Sequence, residues 1–90
     1  MKDLRYKAIK SLHQTGDING LNDVLTVISI SQLRHEMEMN YNTLRRKINN
    51  KRLFNIKDIL KMAEIFEIEP VEIFHLVLLD IKETGKKQNK

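Results

Sequence analysis

Cysteine is absent from the chain, so neither a disulfide framework nor a cysteine-ligated zinc site is available. Packing alone must hold the fold. Breakers are scarce as well, with one proline and three glycines. Apolar residues recur at 3.6-residue spacing and strand signals are poor, which predicts helices. No apolar run approaches the roughly 20 residues that a membrane span needs. The N-terminus, MKDLRYKAIK, mixes charges and is no secretory signal. A soluble, cytoplasmic protein without a membrane partner is expected. Glycine-rich phosphate loops and nucleophile motifs are missing, so neither an enzyme nor a cofactor is expected. His13, His35 and His75 lie far apart and lack zinc-finger spacing, so no metal is expected either.

What remains suits one small domain. Ninety residues, 41% of them hydrophobic, can bury a single core. The expected domain is 1–83, with 84–90 (TGKKQNK) a polar, frayed tail. Net charge is +4, and its distribution says more than its size. Basic residues gather at Lys2, Arg5, Lys7 and Lys10, at Arg45, Arg46, Lys47, Lys51 and Arg52, and at Lys82, Lys86, Lys87 and Lys90. The segment from Asp58 to Asp80 is acidic, through Glu64, Glu67, Glu69 and Glu72. Such separation suits a polyanion on one face and something else on the other.

The periodicity predicts an all-α fold of five to six helices. The first runs from Asp3 to Gln14, with Leu4, Ala8, Ile9 and Leu12 on its inner stripe. The second is Leu21 to Ile28, burying Leu21, Val24, Leu25 and Ile28. Ser29 and Gln32 form a capping box that opens the third, which buries Ile30, Leu33 and Met37. After a break at Glu38-Met39, Asn40 caps the fourth, which buries Leu44 and Ile48. Asn49-Asn50 closes it, asparagine tolerating a left-handed backbone. Asn55 opens the fifth, with Asp58 in its first turn and a stripe of Ile56, Ile59, Leu60, Ala63 and Phe66. Pro70 opens the last, which runs to Lys82.

Two short helices around a tight break must cross steeply, as in a helix-turn-helix at about 29–49, whose second helix enters the major groove. The fourth helix has suitable chemistry. Asn42, Thr43, Arg45, Arg46 and Asn49 face outward once Leu44 and Ile48 face in. Asparagine can bond adenine edges and arginine guanine edges, each by two hydrogen bonds. Asn42, Thr43 and Arg46 are the candidate base readers, although Asn42 and Thr43 are equally suited to capping. Arg45, Lys51 and Arg52 are the candidate phosphate contacts. Tyr41 either lies along a phosphate or wedges into the bundle edge.

Residues Ser29 to Phe74 resemble the phage-repressor-like (Cro/repressor type) helix-turn-helix family. The resemblance rests on SISQLRHEMEM, NYNTLRRKINNKR and FNIKDILKMAEIFEIEPVEIF. The chain is also similar to small repressor-like proteins of Bacteroidetes bacteria. Within it, Asn49-Asn50-Lys51-Arg52 matches the loop after the recognition helix, Ala63 the alanine of the next helix, and Ile73-Phe74 the closing apolar pair. The resemblance implies sequence-specific binding of double-stranded DNA by a transcriptional regulator, a repressor. Four positions depart from the family pattern. Arg34 replaces a small residue, Glu38 and Glu67 replace glycines, and Lys47 replaces an apolar residue. The alternative is a degenerate repressor-like fold that serves as an interaction, dimerisation or antitoxin module.

The last helix, PVEIFHLVLLDIK, is apolar on nearly all sides. Val71, Phe74, Leu78 and Ile81 are assigned to the core, which leaves Ile73, Leu76, Val77 and Leu79 for a homodimer contact. The competing reading is that the N-terminal helix covers that face within one chain.

Overall fold

The computed structural model describes residues 4–88, with side chains to residue 81. These residues form six α-helices: α1 (Leu4–Gln14), α2 (Leu21–Val24), α3 (Ile30–Met37), α4 (Tyr41–Asn49), α5 (Ile56–Phe66) and α6 (Pro70–Gln88). A 3₁₀ turn, Lys51–Leu53, links α4 to α5, and no strand occurs among the described residues. The fold is all-α.

Local chemistry sets the helix starts. The Ser29 hydroxyl accepts from the Gln32 N–H, and the Gln32 side chain accepts from the Ser29 N–H, each at 3.1 Å. Asn40 Oδ1 accepts from the Asn42 N–H at 2.8 Å and opens α4. Asn55 and Asp58 form a second reciprocal cap, at 2.8 and 3.2 Å, and open α5. The stops are less usual. α3 ends on Glu38 (φ 55°) and α5 on Glu67 (φ 56°), both left-handed. Those are the two positions at which the resembled family places glycine.

α5 lies at the centre, packed by α1, α3 and α6; α3 also packs on α4, and α6 on α2 and the 3₁₀ turn. Ile9, Leu21, Val24, Leu33, Leu44, Met62, Phe66 and Ile73 are the largest fully buried side chains. The expected stripes of α3 and α4 hold: Leu33, Met37, Leu44 and Ile48 are buried and Ile30 is half-buried.

Elsewhere the buried faces differ from the sequence expectation. α1 buries Tyr6 and Ile9, while Leu4 and Ala8 are exposed. Tyr6 turns inward because its ring meets Phe66, 5.8 Å between centroids, and its hydroxyl donates to the Gln32 carbonyl at 3.4 Å. α2 stops at Val24. Thr26, Val27 and Ile28 are β-branched, and Leu25, Thr26 and Val27 make tight i→i−3 bonds instead. α5 buries Met62 and Ile65, which were not expected, and exposes Ile56 and Leu60. Asn50 is extended (φ −135°, ψ 91°) rather than left-handed, because its side chain caps the 3₁₀ turn by accepting from the Arg52 N–H. α6 continues past Lys82 to Gln88.

The largest correction concerns the faces of α6. Ile73, Leu76 and Val77, expected to form a dimer contact, are 0%, 4% and 3% exposed in the core of this one chain. Leu79 is half-buried. Cover comes from α2, α5 and the 3₁₀ turn. Val71 and Phe74, expected inside, are 74% and 50% exposed. The face choice follows Asp80, which falls on the stripe of Ile73, Leu76 and Val77 and finds its partners in the interior.

Candidate nucleic-acid interface

α3 holds eight residues and α4 nine, separated by Glu38, Met39 and Asn40. Glu38 makes the turn: its N–H donates to the Arg34 and His35 carbonyls, and its left-handed backbone redirects the chain toward Asn40. Arg34, in place of a small residue, is half-buried and lines a surface groove with Tyr6 and Gln32. Its charged end thus has a route to solvent beside α1, with its stem on the bundle.

On α4, Leu44 and Ile48 anchor the inner side. The opposite side presents Asn42, Arg45, Arg46 and Asn49, all exposed, at i, i+3, i+4 and i+7. Tyr41 at the helix start is 40% exposed, so it lies along the edge rather than wedged into the bundle. Thr43 is half-buried at the border. Arg52 is exposed in the following turn. These residues form one polar, cationic surface around the first turns of α4.

Two lysines of the same basic run point the other way. Lys51, expected to reach phosphates, has a side chain only 9% exposed. Its Nζ donates to the Ile48 carbonyl at 2.5 Å and to Asn22 Oδ1 at 3.0 Å, and lies 3.7 Å from Asp80 Oδ2. Its charge is spent inside the protein, so the phosphate role assigned to Lys51 is withdrawn. Asp80 also accepts from the Asn22 N–H at 3.2 Å, joining α6 to the start of α2. Gly20 is what allows this approach. A Cβ there would stand 2.3 Å from Asp80 Oδ1.

Lys47 behaves similarly. Its Nζ lies 2.5 Å from Asp58 Oδ2, with side chains 15% and 9% exposed. The same carboxylate oxygen accepts from the Asn55 N–H, so Asp58 caps α5 and holds the outer helix at once. A lysine therefore fills the expected apolar position because a buried carboxylate waits for it. Asp58 stands in the first turn of α5, as the helix dipole favours, and pairs with Lys47 as well.

Sequence reasoning missed Asp58, Asp80, Asn22 and Gly20 as the groups that position the surface. One signal was readable for Asp80: a lone carboxylate at i+7 on the stripe Ile73, Leu76, Val77 must find a buried partner. Among the described residues, no group of three or more His, Cys, Asp or Glu could hold a metal ion. None of the helices is long and apolar enough to cross a membrane, among the described residues.

Glu38 is the strained and electrostatically misplaced member of this surface. A left-handed non-glycine residue costs about 1 kcal/mol, and a carboxylate at a helix C-terminus opposes the dipole. Glu38→Gly is expected to raise stability by about 1 kcal/mol in a denaturant melt. It should also tighten any polyanion binding severalfold, and a loss of stability would refute the strain argument.

The described residues form a small all-α bundle in which a three-residue turn joins α3 to α4. No protein-family model, curated protein or solved structure matches the chain.

Proposed function

We propose that the protein binds double-stranded DNA sequence-specifically, with α4 in the major groove, and acts as a transcriptional regulator, a repressor. The observation that carries this reading is the exposed stripe Asn42, Arg45, Arg46 and Asn49, on a helix anchored from behind by Leu44 and Ile48. Asn42, Arg46 and Asn49 are the base readers, with Thr43 at the border of the contact. Arg45 and Arg52 hold phosphates, and Tyr41 lies along the backbone. The resemblance of Ser29 to Phe74 to Cro/repressor-type domains supports the same reading. Two copies spanning half-sites about 34 Å apart extend it.

A second reading is an interaction module without specific DNA binding. Glu38 favours it, since it sets an exposed carboxylate in the turn before α4. Selection from a random duplex pool separates the two. The DNA reading predicts one enriched motif, bound about 10³-fold or more above random duplex. Binding at low salt without enrichment indicates charge alone. Absence of binding at low salt favours the interaction module.

A further inference from the structure

We propose that Asn19-Gly20 is a site of spontaneous deamidation, and that its isoaspartyl product releases the clamp behind α4. The reaction needs no enzyme. The Gly20 nitrogen loses its proton to solvent base and attacks the carbonyl carbon of the Asn19 side chain. The bond to the side-chain nitrogen breaks and ammonia leaves. Water then opens the resulting five-membered imide at either carbonyl, giving aspartate or isoaspartate. No oxidant or reductant takes part. Sequence and structure single out this asparagine. It forms the one Asn-Gly pair of the chain, and a following residue without a Cβ leaves the attack uncrowded. Asn19 is exposed and lies between α1 and α2, so only a link must turn to bring the two atoms together. Neither its side chain nor the Gly20 N–H makes a hydrogen bond among the described residues. The other described asparagines are engaged. Asn40, Asn50 and Asn55 serve as caps, Asn22 accepts from Lys51, and Asn42 and Asn49 lie within α4.

The position of Gly20 turns a local change into a structural one. Isoaspartate routes the main chain through the former side chain and lengthens it by one carbon, directly before Gly20. That glycine is buried against Asp80, so close that a Cβ on it would stand 2.3 Å from Asp80 Oδ1. A displaced backbone has no slack there. Asp80 accepts from the Asn22 N–H, two residues beyond Gly20, and lies 3.7 Å from the Lys51 ammonium. Lys51 in turn donates to the Ile48 carbonyl in the last turn of α4. Moving Gly20 separates these partners and leaves buried charges without their full set of bonds. Charge acts in the same direction. Asp23 Oδ2 already accepts from the Asn19 N–H at 2.8 Å, so a carboxylate in place of the neutral amide meets a like charge. The proposal is independent of DNA binding.

Ageing the full chain in mildly alkaline buffer at physiological temperature tests it. Peptide mass spectrometry should show the one-dalton gain of amide-to-acid conversion at Asn19 many times faster than at Asn49 in the same sample. Protein isoaspartyl methyltransferase should label the product. Asn19→Gln, whose cyclic imide would need a six-membered ring, should gain no mass at this position. Freshly prepared Asn19→Asp supplies the new charge on an ordinary main chain and so isolates the effect of the added carbon. The isoaspartyl fraction, separated by ion exchange, should unfold at lower urea than Asn19→Asp. The amide signals of Asn22 and Lys51 should shift further in that fraction than in Asn19→Asp. Conversion at Asn19 no faster than at Asn49 would overturn the proposal. So would an isoaspartyl fraction that unfolds together with Asn19→Asp and leaves the Asn22 and Lys51 signals in place.

Discussion

Asp58→Ala is expected to lower folding stability by about 3–5 kcal/mol, the cost of leaving a buried charge without its partner. Against a typical total of 5–15 kcal/mol that is a large share. Two losses combine. Lys47, whose side chain is 15% exposed, keeps its ammonium without a counter-ion. α5 also loses the side chain that accepts from the Asn55 N–H. The double variant Lys47→Met/Asp58→Ala should recover most of the loss, because a methionine leaves no charge to desolvate. Only the cap, about 1 kcal/mol, stays lost. Urea melts of the two single variants and the double give the coupling. Additive losses would mean that the Lys47–Asp58 pair is not the link between α4 and α5.

The second large effect concerns recognition. Arg46→Ala is expected to cost about 1–3 kcal/mol of binding to an enriched duplex, a loss of roughly 5- to 150-fold. Much less should be lost on random duplex, so selectivity falls with affinity. Arg52→Ala should instead weaken all sequences alike and reduce the salt slope by about one per chain. Lys51→Met makes the sharpest contrast. Its ammonium is held by the Ile48 carbonyl, Asn22 and Asp80. The salt slope should stay unchanged while stability falls. Titration of each variant at several salt concentrations distinguishes these outcomes.

Legibility followed the range of the interactions. The caps at Ser29, Asn40 and Asn55 each close within three residues, so the sequence alone places α3, α4 and α5. The stripes of α3 and α4 were legible because each helix has a single apolar side. α6 was not legible in this way. Apolar on both faces, its apolar residues alone offered no reason to choose Ile73, Leu76 and Val77 over Val71 and Phe74; the only local mark was the carboxylate of Asp80 on the first stripe. The decision rests with Asp80 and its distant partners Lys51 and Asn22. The candidate surface divided along the same line. Arg45, Arg46 and Arg52 are exposed as charge on a helix face predicts. Lys47 and Lys51 turn inward toward carboxylates that local pattern does not reveal. Tyr6 shows the same limit, since its burial depends on Phe66 across the bundle.

Glu38 and Glu67 each stand where the resembled family has glycine, and both turns keep the left-handed backbone, at φ 55° and 56°. Here the chain accepts local strain and retains the geometry that aims α4.

The most direct measurement of the central claim is an amide-shift titration of the labelled protein with an enriched duplex. The account predicts that perturbations concentrate at Tyr41 to Asn49 and Arg52, with the core-facing residues of α6 unmoved. Perturbations centred on the basic residues of α1, or none along α4 at saturation, would contradict it.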